Sequence, residues 1–263
     1  MSYAHILVDA DPPVGRLTLN RPERRNALSV EAMDEITGGL EELSAVPGVQ
    51  VIVMDARGPA FSAGHDIAEM RHREPEFYEG LFARCTRMMQ TVHATPQPVI
   101  AKVRGIATAA GCQLVASCDL VVAEAGATFA TPGVRIGLFC TTPMVPIVRA
   151  VGQKRAMEML LTGEPISVET ARDWGLVNRI AMPEELDAAV DELVAQITRW
   201  SPDVIAIGKD AFYQQAGLTE KAAYEVTEPI MAANAGVNDA QEGFAAFVEK
   251  RTPMWSDKTG TAS

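Results

Sequence analysis

No apolar run in this chain approaches the roughly 18–20 residues needed to cross a bilayer. The N-terminus, MSYAHILVDADPP, carries Asp9 and Asp11 and no basic stretch ahead of an apolar one. It therefore reads as neither signal nor transit peptide, and a cytosolic protein with no membrane partner is expected. The four cysteines, Cys85, Cys112, Cys118 and Cys140, form no CxxC pair and no His/Cys metal spacing. They read as reduced thiols, mostly small buried apolar residues, and no metal is expected. A basic excess is missing as well: the net charge of −11 argues against a general nucleic-acid binder, which needs a basic face. An anionic ligand remains compatible, because basic residues cluster locally at Arg21, Arg24 and Arg25 and at Lys250 and Arg251. Linkers and low-complexity runs are absent too, so the 263 residues fit one large domain, or one domain with an appendage.

What is present centres on Ala101–Asp119, AKVRGIATAAGCQLVASCD. An apolar run from Pro98 to Val103 predicts a short buried strand that stops at Gly105. Small residues, Ala107 to Gly111, lead into Cys112, Leu114, Val115 and Ala116 at helical spacing. A strand delivered into a helix through small side chains lets a ligand approach the backbone. The first N–H groups of that helix lack intrahelical partners, and its dipole favours an oxygen bearing negative charge. A second stretch, AFSAGHDI (Ala60–Ile67), follows the strand candidate Val49–Met54 in the same way, with Asp66 as a plausible N-cap. Two such turns side by side could aim two backbone N–H groups at one oxygen.

This pairing resembles the crotonase superfamily, the enoyl-CoA hydratase/isomerase family. The resemblance spans nearly the whole chain and rests also on LNRPERRNAL, RGIATAAGCQLVASCDL, LTGEPISVETARDWGLVN and EGFAAFVEKR, in family order. Within the family, the subgroup named enoyl-CoA hydratase domain-containing protein 3 has a pattern similar to IATAAGCQLVASCDL and GLFCTTP (Gly137–Pro143). The resemblance implies an α/β fold, the crotonase spiral of β-β-α turns, over residues 1–200. Residues 201–263 would form a helical C-terminal trimerisation region. It implies an acyl-CoA ligand with coenzyme A as part of the substrate, no separate cofactor, and a homo-oligomer, trimer or dimer of trimers. An RNA-binding branch of the family exists, but the acidity disfavours that reading here.

By motif, the oxyanion donors are the N–H groups of His65 and Ala110, with Gly64 and Gly111 keeping the approach open. Arg24 and Arg25 are placed to meet CoA phosphates, and Asn26, Ala27 and Leu28 to pass the adenine. Ala63, Asp66 and Ile67 would also bind CoA, although Asp66 by itself reads as an N-cap and not an acid. Phe247 and Lys250 match a pair that reaches CoA, often from a neighbouring subunit.

The chain departs from the family at the acid/base positions. Family hydratases hold the attacking water between two glutamates, in patterns like GGGCE and QPE. Gln113 and Gly133 stand at the matching positions. An amide orients water without accepting its proton, and glycine offers nothing. One missing general acid/base costs about 10²–10⁴-fold, so two-glutamate hydration and the family isomerisation are expected to be feeble or absent. The alternatives are a decarboxylase that uses His65 and a non-catalytic acyl-CoA binder. Cys140 has no basic partner nearby in sequence and reads as a pocket wall.

Along the chain, the patterns predict a hairpin over 4–9 and 14–19, then a helix from Ser29 to about Leu43. A loop at Arg71–Pro75 precedes a helix over Phe77–His93, and strands follow at Asp119–Ala123 and Thr128–Ala130. After a Gly/Pro-punctuated segment, Gly137–Pro146, the chain reads as mainly helical, with one strand at Val177–Ile180. Thr252–Ser263 is expected to fray or to lie on a neighbouring subunit.

Overall fold

The computed structural model describes residues 3–256. It opens with an antiparallel hairpin, β1 (Ile6–Asp11) and β2 (Val14–Leu19), in which Ile6 faces Leu19. A single 3-10 turn at Pro22–Arg24 follows, and Arg25 and Asn26 then take left-handed φ values of 51° and 52°. Helix α1 (Val30–Ser44) starts where Ser29 accepts the Ala32 N–H at 3.2 Å. Met33, Ile36, Leu40 and Leu43 form its buried stripe, as their spacing predicts.

From there a unit of long strand, short strand and helix repeats three times. The first is β3 (Val51–Ala56), β4 (Ala60–Ser62), and the helices α2 (Ile67–Met70) and α3 (Pro75–Ala94). The second is β5 (Val99–Val103), β6 (Ile106–Thr108) and α4 (Ala110–Ser117). The third is β7 (Leu120–Glu124), β8 (Thr128–Ala130), a 3-10 segment at Pro132–Ile136, and α5 (Met144–Val151). The long strands make one six-stranded sheet, ordered β1-β2-β3-β5-β7 and closed by β10 (Arg179–Ala181), parallel from β2 onward. The short strands make a second sheet, β4-β6-β8, with β9 (Ile166–Ser167) antiparallel at its edge. This is the β-β-α spiral that the resemblance implied.

Both faces of the large sheet are covered, so β5 is buried along its length, apolar except at Lys102, whose Nζ pairs with Asp55 at 2.6 Å. Ile52, Met54 and Ala101 pack towards α1, α3 and α4, while Val51, Val53 and Ile100 meet Leu186, Val190 and Leu193 of the later helix α8 (Leu186–Thr198). Between these elements lie α6 (Gln153–Thr162) and α7 (Val168–Trp174). The chain ends in α9 (Pro202–Gln215), α10 (Glu220–Ala235) and α11 (Asn238–Glu249). No helix among the described residues is long and apolar enough to cross a membrane.

Some elements differ from expectation. The punctuated segment Gly137–Pro146 contains the start of α5. Pro143 is its N-cap and Pro146 sits in the first turn, where the missing N–H has no intrahelical partner anyway. The expected strands at Val49–Met54 and Val177–Ile180 are each displaced by up to two residues. Thr252–Ser256 does not fray: Trp255 donates to the Arg199 carbonyl at 2.8 Å and the Ser256 N–H to Asp239 at 2.8 Å, both in the same chain. The remainder of that expectation, residues 257–263, lies outside the described residues.

Helices α9 and α10 bury no residue fully. A polar cluster seats α9 on the spiral instead. Lys209 Nζ reaches Asp119 Oδ2 at 2.7 Å and the carbonyls of Val92 and Gln97 at 2.9 Å each, while Tyr213 donates to Asp119 Oδ1 at 2.7 Å. The Lys209 and Asp119 side chains are only 7% and 15% exposed. Asp119 anchors the start of β7 as expected, and it also accepts the Val99 N–H at 2.6 Å. Removing one partner of such a pair strands a buried charge, at a cost of about 3–5 kcal/mol. Lys209→Met should therefore lower the urea midpoint by an amount of that order. A loss under about 1 kcal/mol would show that the cluster does not hold α9.

Candidate functional site

The two glycine-containing turns lie against each other backbone to backbone. A Cβ on Gly64 would sit 2.9 Å from the Thr108 carbonyl and 3.2 Å from the Ala110 nitrogen; one on Gly111 would sit 2.4 Å from the Ser62 carbonyl. Thr108 Oγ1 also donates to the Ala63 carbonyl at 3.0 Å, tying one turn to the other. Only glycine admits this approach, and Gly64 additionally holds a φ of 85°.

The first turn is fixed from the N-terminal side. Asn26, 3% exposed, donates through Nδ2 to the Arg57 and Ala60 carbonyls at 2.9 and 2.8 Å, and its own carbonyl accepts from Ser62 Oγ at 2.8 Å. The Leu28 N–H reaches the Gly64 carbonyl at 2.8 Å and the Asp66 N–H reaches the Leu28 carbonyl at 3.1 Å. That parallel bridge uses the carbonyl before His65 and the amide after it, which leaves the His65 N–H unused. Ala110 is the first residue of α4, and its N–H is one of the orphan donors of a helix start. Among the described residues neither amide has a protein acceptor.

Between them stands Ala109, with φ 48° and ψ −119° and its N–H held by the Ala130 carbonyl at 2.9 Å. A non-glycine residue in this region stores about 1–3 kcal/mol of strain. It is the residue immediately before α4.

A cavity of about 410 Å³ opens onto both turns. Of the residues expected to form the site, Ala63, His65, Ile67, Ala110, Gly133 and Cys140 line it. Gly64 and Gly111 lie behind the wall as the contact between turns. Unforeseen lining comes from Met70 and Phe82, and from Arg135 to Pro143 around Cys140. The GLFCTTP motif marked that segment, but only Cys140 was read from it. Phe82 of α3 packs against the core and also meets the His65 ring edge-on at 5.5 Å.

Several expected residues are elsewhere. Gln113 is 3% exposed and does not line the cavity; its Oε1 faces Cys85 Sγ at 3.7 Å on α3. It cannot orient water there, which corrects its catalytic assignment. Leu28 is a core residue, 1% exposed, so its side chain is not free for adenine. Ala27 is half-buried, and its carbonyl accepts from Arg21 Nη1 at 2.9 Å. Asp66 caps α2, accepting the Ala68 N–H at 3.2 Å, and pairs with Arg21 at 3.4 Å. Arg24 and Arg25 are exposed, with no ion pair among the described residues. Phe247, 85% exposed, and Lys250, at the left-handed C-cap of α11, lie outside this protomer's cavity.

Burial favours the neutral forms of two titratable groups in the cavity, His65 and Cys140. Burial pulls the His65 imidazole below its ordinary value, with the Leu28 backbone opposing in part, and the buried Nδ1 has no hydrogen-bond partner. Burial pushes the Cys140 thiol up, opposed by the Gly133 backbone. Arg135 pairs with Glu164. No carboxylate lines the cavity, and no group of three or more metal-ligating side chains occurs among the described residues.

The sequence matches the Enoyl-CoA hydratase/isomerase family over residues 10–258. Enoyl-CoA hydratase domain-containing protein 3, mitochondrial, of Mus musculus is 41% identical over 244 residues, 92% of this chain and 81% of that protein. Among solved structures, an enoyl-CoA hydratase of Mycobacterium smegmatis has a TM-score of 0.93 at 46% identity, covering 96% of this chain and 99% of that one. Human enoyl Coenzyme A hydratase domain-containing protein 3 has a TM-score of 0.92 at 38% identity, covering 96% and 100%. The subgroup resemblance read from the motifs is thus borne out. The cytosolic expectation is corrected by the same findings, since the vertebrate relatives are named as mitochondrial proteins. It rested on an N-terminus that carries Asp9 and Asp11 and no basic stretch ahead of an apolar one.

Two substitutions should move stability in opposite directions. A Cβ on Gly133 would lie 2.1 Å from the Leu138 carbonyl and 2.8 Å from Cys140 Sγ, so Gly133→Ala should cost about 3 kcal/mol or more. Ala109→Gly relieves strain and should gain about 1 kcal/mol net of the entropy that glycine adds to the unfolded chain. Chemical denaturation of both variants reads the signs directly.

His65 and His93 are both held below 6.5, chiefly by burial. Below that pH the unfolded chain binds more protons than the folded one, so stability is lost as pH falls from 6.5 through the folded values. Melting temperatures between about pH 7.5 and about pH 5.5 should fall, and less steeply in His93→Gln.

Proposed function

Because this chain belongs to the enoyl-CoA hydratase/isomerase family, the crotonase superfamily, we propose that it binds an acyl-CoA thioester and holds the carbonyl oxygen between the His65 and Ala110 N–H groups. The observation that carries this reading is the pair of amides without a protein acceptor, on two backbone segments in direct contact, whose residues His65 and Ala110 both line one cavity. Each such donor is worth about 3–4 kcal/mol when charge develops on the oxygen. Because both donors are main chain, the polarising half of the chemistry does not depend on the side chains that this protein lacks.

Hydration needs a second half, a base and an acid at the double bond. Gly133 supplies none, Gln113 faces Cys85, and no carboxylate lines the cavity. The function that fits is stabilisation of an acyl-CoA enolate with weak or no hydratase turnover. A non-catalytic acyl-CoA binder is the alternative that the same inventory supports.

The proposed assembly is a homo-oligomer, trimer or dimer of trimers. Helices α9 and α10 bury no residue fully in the single chain, while Phe212, Tyr224 and Met231 on them are 59%, 65% and 70% exposed. Phe247 and Lys250 would then reach CoA on a neighbouring copy, and Arg24 and Arg25 would meet its phosphates on their own.

The test follows α-proton exchange of butyryl-CoA in heavy water beside hydration of crotonyl-CoA. Saturable binding with exchange, and hydration weak or absent, is expected. His65→Ala keeps the N–H and should keep exchange, whereas His65→Pro removes the donor and should slow exchange about 10²–10³-fold. Binding without exchange selects the non-catalytic reading. Equal exchange in the two variants would remove His65 N–H from the site.

A further inference from the structure

The walls of the cavity restrict what acyl group it can take. Its space of about 410 Å³ equals roughly a dozen water-sized volumes of about 30 Å³ each. That falls within the span of about 300–1,000 Å³ typical of small-molecule sites. An acetyl or malonyl unit would leave most of it empty. Away from the two amides the lining is mainly hydrocarbon and sulfur, with Met70, Phe82, Ile136, Leu138, Phe139 and Cys140, and its polar side chains there are Arg135, Thr141 and Thr142.

A carboxylate entering this space would lose its water without gaining a counter-charge. Arg135, the single charged side chain among the lining residues, is already paired with Glu164. The His65 imidazole is held neutral by burial and carries no positive charge to offer.

We propose that the site selects uncharged apolar acyl groups of medium length, about six to twelve carbons, and discriminates against short and carboxylated ones. This rests on the acyl-CoA reading above and narrows it. It also sets aside decarboxylation of malonyl-type thioesters through His65, because their carboxylate finds no partner in the cavity.

The test is calorimetric titration of the whole protein with free CoA and with acetyl-, butyryl-, octanoyl-, malonyl- and methylmalonyl-CoA, each below its micellar concentration. Each methylene placed in an apolar cavity strengthens binding by about threefold to fourfold. Octanoyl-CoA should therefore bind at least about tenfold tighter than acetyl-CoA, and malonyl- and methylmalonyl-CoA no tighter than free CoA. Met70→Glu and Leu138→Glu place a charge on two different wall segments. Each should weaken octanoyl-CoA at least about tenfold more than it weakens acetyl-CoA, with melting curves confirming that the variants fold.

Affinity flat with chain length, or malonyl-CoA binding as tightly as octanoyl-CoA, overturns the inference and leaves the acyl-CoA reading standing. Unchanged octanoyl affinity in the folded variants would place the chain elsewhere and overturns it too. Failure of CoA and every thioester to bind overturns both.

Discussion

The structure depends on one constraint: backbones of successive spiral turns touch with no side chain between them. Gly105 against the Pro59 carbonyl, Gly111 against the Ser62 carbonyl and Gly64 against the Thr108 carbonyl are three contacts along that seam, each too close for a Cβ. Three-residue strands β4, β6 and β8 stitch the seam as a small parallel sheet. Such short strands have little stability of their own. They persist because the large sheet behind them, buried on both faces, sets the spacing of the turns. The strained Ala109 is tolerated for the same reason, its neighbours on both sides being fixed by β6 and β8.

Two consequences follow for the chemistry. Amides delivered by such a seam belong to the fold, so side chains around them can change without disturbing them. The lost carboxylates, by contrast, are built into the packing. Leu138 and Cys140 occupy the space that a side chain at Gly133 would need, and Gln113 is directed at Cys85 in the wall between α3 and α4. A glutamate returned to either position would meet backbone or buried thiol before it met substrate. The proteins named hydratases that are similar in structure share the fold, and the fold by itself fixes no reaction.

Much of this was legible in the sequence because it is local. The α1 stripe, the Ser29 cap and the small-residue junctions at Gly64 and Gly111 each follow from residues within a turn of one another. What was not legible depends on distant pairing. Strands β4 and β6 were read as turns because three residues carry no usable period, and only their register with each other makes them strands. Gln113 was placed by its motif, but a helix of eight residues can present it either to the cavity or to α3, and Cys85, 28 residues away, receives it. Arg21 was read with the exposed Arg24 and Arg25, and turned out to be the partner of Asp66, 45 residues on. Sequence spacing gives the candidates for a site, while the side-chain directions come from tertiary neighbours.

The charge inventory of the cavity leads one step further. Apart from Arg135, paired with Glu164, and the hydroxyls of Thr141 and Thr142, its polar equipment is two backbone amides and two titratable groups, His65 and Cys140, whose neutral forms burial favours. Fixed dipoles stabilise developing negative charge without themselves exchanging protons, and they need no reorganisation to do so. A site of that composition lowers the energy of an enolate but supplies no strong base to form it and no strong acid to quench it. Any proton that moves must travel to solvent, to water carried in with the ligand, or to the one buried imidazole nitrogen that lacks a partner, Nδ1 of His65. The burial that leaves this nitrogen unpaired also lowers its basicity, so it would accept a proton only from a carbon acid made stronger by hydrogen bonds to its carbonyl oxygen. On the proposed reading, polarisation and proton transfer would be coupled through a single carbonyl oxygen, and the geometry of the two amides would set the ceiling on turnover.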